Sequence, residues 1–145
     1  MPQINRSALM PFKQKDIFNL VNDVEAYPDF LPWCSSAKIL EKSPDHVLAK
    51  LTLKRVGVSY DLVTRNHLSP FNFIDIEFVE GPLQSLNGRW AFTELGDLGC
   101  KVEMSLCFEL KKQLIDKAMG SILENAAENM VRLFSSRAES VFEEL

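Results

Sequence analysis

Residues 111–145, KKQLIDKAMGSILENAAENMVRLFSSRAESVFEEL, carry a hydrophobic pattern of helical period. At about 100° per residue, the apolar side chains fall on one side of a helix and most charged side chains on the other. No proline interrupts the stretch, and Gly120 is its only weak helix former. We predict one long amphipathic helix. Its apolar side consists of Ile115, Met119, Ile122, Leu123, Ala126, Met130, Leu133, Phe134 and Val141.

The residues before this helix alternate between apolar and polar with a period of two. Turn signals separate the alternating runs, at positions 43–45, 57, 69–72, 81–82 and 96–99. Such runs are typical of half-buried strands, and their short connections imply antiparallel neighbours. We predict six strands between residues 36 and 110, a first strand over residues 4–10 and a short helix over residues 13–23.

The predicted sheet must curl, because seven antiparallel strands twist relative to one another. One helix is only about 10 Å across and cannot fill the concave side of such a sheet. The alternation places seven large side chains on that side: Tyr60, Leu62, Phe78, Trp90, Phe92, Met104 and Phe108. Two interpretations stay open, a closely packed core and the wall of an apolar cavity.

Composition and charge restrict the class of protein. The 145 residues, of which 46% are hydrophobic and 25% charged, predict one globular domain over residues 1–145. The net charge of −4 argues against a charge-driven DNA-binding protein. Three cysteines without a CxxC pair predict a reducing cytoplasm and no metal site. No apolar run has the length of a membrane span, which leaves at most a transient, peripheral contact with the inner membrane surface.

Residues 21–34, VNDVEAYPDFLPWC, resemble the V-x-D-V-x-x-Y-P-x-F-x-P-W-C segment of the coenzyme Q-binding, START-like family, in the polyketide cyclase-like SRPBCC superfamily. Residues 59–66, SYDLVTRN, and the Gly81-Pro82-Leu83 turn with Trp90 after it also resemble this family. The resemblance implies an α+β helix-grip fold of the START/Bet v-like type. In that fold a curved seven-stranded antiparallel sheet wraps around a long C-terminal helix, and two short helices follow the first strand.

The resemblance also implies functions that the residues alone do not give. Mitochondrial members bind ubiquinone and support cellular respiration, which implies a bound polyprenyl quinone or similar lipid between sheet and helix. Bacterial members include ribosome association toxins, which bind the 50S subunit and block formation of the 70S ribosome. We expect a non-enzymatic binder of an apolar ligand that requires no cofactor. The ribosome toxin is the alternative, and the two roles do not exclude each other.

The proline-rich loop over residues 27–34 has two interpretations. As structure, its prolines stiffen a connection while its aromatic rings close the end of the core. As function, Phe30, Leu31 and Trp33 form an exposed gate for an isoprenoid chain. Arg137, on the apolar side of the tail helix, either extends to solvent or pairs with a ligand. The predicted ligand-binding residues are Phe30, Leu31, Trp33, Tyr60, Leu62, Phe78, Trp90, Met104, Phe108, Met119, Leu123, Met130 and Arg137.

The outer face of the sheet is the predicted contact with ribosomal RNA. Lys50, Lys54 and Arg65 share this face, and a surface that binds the 50S subunit must neutralise phosphate. The alternative is an ordinary solvated strand face, and Asp61 and Glu77 dilute its positive charge.

Catalysis has little support in the sequence. His46 and His67 are the only histidines, and neither belongs to an HExxH motif or a triad spacing. The concave face offers few titratable groups for acid–base chemistry. A polyketide cyclase-like enzyme is therefore the minor alternative, and no catalytic or metal-binding residue is predicted.

Overall fold

A computed structural model describes the protein at residues 3–55, 57–111 and 117–143. The strands are β1 (Gln3–Met10), β2 (Cys34–Ser43), β3 (His46–Arg55), β4 (Val58–Ser69), β5 (Phe73–Glu80), β6 (Ser85–Glu94) and β7 (Cys100–Glu109). The α-helices are α1 (Gln14–Asn22) and α2 (Lys117–Val141). Two 3₁₀ helices cover Val24–Asp29 and Gly96–Leu98.

The seven strands form one antiparallel sheet in the order β1-β7-β6-β5-β4-β3-β2. Each strand from β2 to β6 lies beside the next strand in the chain, as the short connections predict. The first strand joins the last, with its register running from Gln3 opposite Cys107 to Met10 opposite Cys100. Helix α2 packs mainly across β1 and also contacts β7, β3 and α1. This is the helix-grip arrangement, so the predicted fold is confirmed.

The long C-terminal helix is confirmed, with differences on its apolar side. Ile115 lies outside the described residues. Val141 is 47% exposed, so its predicted burial is wrong, because it is the last residue of α2. The buried face also includes Ala127, Val131 and Ala138, since α2 packs against α1 as well as the sheet. No described helix combines the length and hydropathy that crossing a bilayer requires.

The hydrophobic core lies between the concave face of the sheet and the helices. Five of the predicted concave-face residues are buried in it: Leu62, Trp90, Phe92, Met104 and Phe108. The inward-facing Tyr60, Ile76 and Phe78 on β4 and β5 are only half-buried. Because α2 lies mainly over β1, the middle of the sheet is covered less completely than its β1 side.

Candidate functional site

A partly open cavity of about 90 Å³ lies between the concave face of the sheet and α2. Its wall combines inward-facing side chains of β3 to β7 with Ala126 and Met130 of α2 and with Tyr27 and Trp33. This volume is below the roughly 300–1,000 Å³ of typical small-molecule pockets and the ~150 Å³ of an apolar cavity that accepts benzene. A larger ligand therefore requires flexible lining side chains, such as that of Met130, to move.

Two polar side chains on β4 interrupt the apolar wall. Thr64 is buried, and its hydroxyl donates a hydrogen bond to Asn66 Oδ1 at 3.2 Å. Asn66 is half-buried, and both residues line the cavity. Sequence reasoning missed this pair because it selected large apolar residues. The alternation that identified Tyr60 and Leu62 continues through these two positions and is the signal that could have found them.

Tyr27 is the titratable side chain in the cavity lining. Its hydroxyl donates a hydrogen bond of 2.5 Å to Val21 O. Burial raises the pKa of Tyr27 above its usual value, and the nearby Cys34 and Asp23 raise it further. The phenol therefore stays protonated at neutral pH, and its proton is donated in the hydrogen bond to Val21 O.

The predicted ligand-binding residues separate into three groups. Five of them line the cavity: Trp33, Leu62, Trp90, Leu123 and Met130. Four are buried in the core outside the cavity lining: Leu31, Met104, Phe108 and Met119. The remaining four, outside that lining and half-buried, are Phe30, Tyr60, Phe78 and Arg137. The structure thus brings about a third of the set together, and ligand binding by any of them stays a prediction.

The proline-rich loop closes the end of the core instead of forming an exposed gate. Leu31 and Trp33 are 2% and 6% exposed, so the exposure expected of the loop's aromatic rings is wrong for Trp33. The loop is joined to β3 because Lys54 N–H donates to Trp33 O at 2.7 Å. Phe30 packs edge-on against Phe134, with 5.0 Å between ring centroids. Replacing Trp33 by alanine would therefore remove core packing as well as cavity wall.

Arg137 lies beside this loop. Its guanidinium carbon is 5.1 Å from the centroid of the Phe30 ring, and its Nη2 is 4.0 Å from Asp29 Oδ2. Its Nε is buried without a hydrogen-bond partner among the described residues. The side chain is 30% exposed, and its guanidinium makes a cation–π contact between α2 and the loop. Pairing of Arg137 with a ligand stays a prediction.

Two of the cations predicted to bind ribosomal RNA are paired with carboxylates on the outer face of the sheet. Lys50 Nζ is 3.6 Å from Asp61 Oδ2. Arg65 Nη1 is 3.9 Å from Glu77 Oε1. Lys54, the third predicted cation, is exposed near the end of β3. Asp61 and Glu77 therefore offset the positive charge of this face, as the sequence predicts, by forming ion pairs with Lys50 and Arg65.

The carboxylates of these pairs are held in the ionised form. A hydrogen bond from the Thr52 hydroxyl, and then the charge of Lys50, lower the pKa of Asp61 below its usual value. A hydrogen bond with His67 lowers the pKa of Glu77. Both acids stay negative at neutral pH. A phosphate group would therefore compete with them for the neighbouring cations.

Positive charge is concentrated along the hairpin of β2 and β3. Residues 38–55 contain five lysine or arginine residues and two acidic ones, although the net charge of the chain is −4. We call the four exposed cations of this hairpin, Lys38, Lys42, Lys54 and Arg55, the basic edge. The fifth, Lys50, lies directly opposite Lys38 in the strand register.

Comparison with known proteins gives a family and relatives of two kinds. Residues 10–135 match the family described as polyketide cyclase / dehydrase and lipid transport. The ribosome association toxin RatA of Vibrio cholerae serotype O1 is 42% identical over 144 residues, which cover 99% of this chain and 100% of RatA. The mitochondrial coenzyme Q-binding protein COQ10 homolog B of Xenopus laevis is 23% identical over 97% of this chain and 59% of that protein.

A solved structure with the same fold is an enzyme. The Zhui aromatase/cyclase from Streptomyces sp. R1128 superimposes with a TM-score of 0.83 at 16% identity, over 95% of this chain and 93% of that one. At this identity the similarity concerns the fold alone, because one fold supports many different sites.

Proposed function

The chain belongs to the polyketide cyclase / dehydrase and lipid transport family. Since the ribosome association toxin RatA matches this chain over nearly its whole length, we propose that the protein associates with ribosomes and blocks joining of their subunits. The observation that carries this proposal is the 42% identity over 99% of the chain. A fold alone would not support it, since function resides in particular surfaces and sites.

The basic edge is the surface that we assign to this role. Contacts with ribosomal RNA require cations that neutralise phosphate, and Lys38, Lys42, Lys54 and Arg55 supply them on one hairpin. The ion-paired Arg65 is less suited, because binding phosphate would first separate it from Glu77. The role also requires the cytoplasmic location that the sequence predicts.

A double charge reversal at the basic edge, Lys38→Glu with Lys54→Glu, is expected to weaken co-sedimentation with ribosomes strongly at physiological salt and to restore the 70S peak in sucrose gradients. At low salt, where binding is still measurable, the slope of log affinity against log salt should become less negative by about 2, roughly one for each lost phosphate contact.

The matched control is Lys13→Glu with Lys101→Glu, which gives the same net charge with exposed lysines outside the hairpin. This control should still co-sediment with ribosomes. Equal loss in both variants would show that overall charge, and not the basic edge, governs the association.

A second candidate function is the binding of an apolar small molecule, and the cavity beside α2 favours it. Its wall is almost entirely apolar and includes both tryptophans, Trp33 and Trp90. At about 90 Å³ the cavity does not contain a polyprenyl chain as it stands. We therefore propose that it takes the ring of such a molecule, for example a quinone head group, after small movements of the lining.

Filling the cavity should remove this activity. In Ala126→Leu the added side-chain atoms project from the cavity wall, and we expect a substituted benzoquinone to raise the melting temperature of the wild type but not of this variant. Ala91→Leu makes the same change on the outer face of the sheet and should respond like the wild type. A wild type that neither responds to the quinone nor yields any lipid on solvent extraction would refute the second candidate.

We also propose that neither role involves catalysis. General acid–base chemistry needs a group whose pKa lies near the working pH. The titratable group in the described cavity lining is Tyr27, whose raised pKa and hydrogen bond to Val21 O do not meet that requirement.

A further inference from the structure

Arg89 of β6 is held in one orientation on the outer face of the sheet. Its Nε and Nη2 donate to the two carboxylate oxygens of Asp75, at 2.5 and 2.7 Å, in a bidentate pair between directly opposite residues of β5 and β6. Its guanidinium carbon lies 4.3 Å from the centroid of the Phe73 ring. The side chain is nevertheless 52% exposed. Asp75 and Phe73 thus fix the guanidinium plane while the face turned away from Phe73 stays open to solvent.

An open depression of about 410 Å³ adjoins this arginine on the outer face. Its lining includes Asn87 of β6, Ser105 of β7 and Gln3 of β1, together with Arg89 itself. The volume is within the roughly 300–1,000 Å³ of typical small-molecule sites. Amide and hydroxyl side chains both donate and accept hydrogen bonds. The depression therefore suits a flat group that carries donors and acceptors along its edge.

The pairing of Arg89 with Asp75 determines which ligand the arginine can take. A phosphate group would compete with Asp75 for the same N–H donors, as it would with Glu77 at Arg65. A planar heteroaromatic ring instead stacks on the face of the guanidinium and leaves the bidentate pair intact. Asp75 also offsets the charge of Arg89, which disfavours an anion. A neutral nucleobase is therefore the favoured ligand.

The position of the depression connects it to the basic edge. Arg89 on β6 and Lys38 on β2 share the outer face, and four interstrand spacings separate their strands. At about 4.8 Å for each spacing, this is about 19 Å across the strands, or roughly six nucleotides at ~3.4 Å per nucleotide. One RNA strand can therefore place a base in the depression and a phosphate at Lys38.

We propose that Arg89 and the depression beside it bind an unpaired nucleobase of RNA. The base stacks on the open face of the guanidinium, and Asn87 and Ser105 form hydrogen bonds with its edge. Paired bases are disfavoured, because their faces and edges are already occupied within the duplex. This inference rests on the proposed association with ribosomes and deepens it, since it adds a contact with single-stranded RNA to the phosphate contacts of the basic edge.

The test measures binding of the whole protein to three probes: octauridylate, the same eight-residue ribose-phosphate chain without bases, and uridine monophosphate. The two chains carry the same charge and differ only in the bases. We expect octauridylate to bind about tenfold more tightly than the abasic chain, which is within the range for one stacked base. Uridine monophosphate cannot reach the basic edge and should bind more weakly than octauridylate.

The substitution Arg89→Lys keeps the charge but removes the planar group that stacks. The preference for octauridylate over the abasic chain should fall toward unity, while binding of the abasic chain and the slope of log affinity against log salt stay unchanged. The matched control is Arg132→Lys, the same change at an exposed position on α2, which should retain the tenfold preference. A merely structural role for Arg89 would instead lower the binding of both chains together.

The outcomes distinguish this inference from the function on which it rests. If Arg89→Lys retains the preference, or if the wild type binds both chains equally, the nucleobase site is refuted and ribosome association stands. If uridine monophosphate binds as tightly as octauridylate, the site takes free nucleotides and the proposed RNA contact is wrong. If the preference depends on Arg89 but the protein does not co-sediment with ribosomes, the proposed function is refuted and the nucleobase site stands.

Discussion

Replacing Gly99 by alanine is expected to lower the free energy of unfolding by more than about 4 kcal/mol, enough to prevent most of the chain from folding at 37 °C. Gly99 has a φ of +102°, in the left-handed region that side chains disfavour. A Cβ there would fall onto Met10 O and come within 2.8 Å of Pro11 Cα and 2.9 Å of Phe12 N. These three neighbours are backbone atoms, which cannot move aside as the end of a flexible side chain could.

The position of Gly99 explains why this clash is costly for the whole fold. It precedes β7 at the point where Met10 pairs with Cys100, so the clash acts on the junction between the first and last strands. At Gly96, with φ +63° in the same turn, a Cβ would meet no atom within 4 Å, and Gly96→Ala should cost only about 1–2 kcal/mol. Urea unfolding followed by circular dichroism measures both, and equal effects would contradict the packing argument.

The element order could be predicted from the sequence because hydrophobic period reports which side of a strand or helix is buried. The alternation through Val102, Met104 and Phe108 is regular, and all three are buried. Burial at the end of a helix or strand is not predictable from hydrophobic period alone. Val141 continues the helical pattern, but the pattern contains no information about where the neighbouring elements stop.

The candidate sites were less predictable because they depend on register and packing. The pairing of Lys50 with Asp61 depends on the register between β3 and β4, which no local sequence pattern specifies. The size of the cavity depends on how many side chains enter it. Trp33 turns inward to its wall because a backbone hydrogen bond from Lys54 fixes the loop.

Two cations of the basic edge, Lys38 and Lys54, lie on the outer face of a sheet whose inner face lines the cavity. Leu53 lines the cavity, whereas the next residue, Lys54, belongs to the basic edge. Because side chains alternate across a strand, substitutions can alter one face and leave the other intact. Ribosome association and ligand binding are therefore separable by mutation even though a single hairpin carries parts of both sites.

Replacing Phe134 by alanine is expected to destabilise the fold by about 3–5 kcal/mol and to lower the melting temperature by roughly 10 °C. Phe134 is fully buried in α2. Its ring centroid is 5.0 Å from that of Phe30, 5.2 Å from Trp90 and 5.5 Å from Tyr27. The loss combines the transfer of a phenyl ring with the three edge-on aromatic contacts that join the helix, the loop and the sheet.

The same substitution should make the protein respond more strongly to a ligand. Trp90 and Tyr27 line the cavity and also contact Phe134, so the space left by the ring lies next to the existing cavity. An enlarged apolar space admits a ring that the wild type accepts only with rearrangement. Benzene should therefore raise the melting temperature of Phe134→Ala more than that of the wild type.

Phe142→Ala is the matched control for this response, because Phe142 is half-buried and its ring lies 6.0 Å from that of Phe12, which does not line the cavity. This change should cost less stability and should not increase the effect of benzene. If both alanine variants respond to benzene equally, the effect reflects general loosening of the core. A gain confined to Phe134→Ala would instead tie the ligand response to the space beside α2, the space on which the apolar-ligand proposal depends.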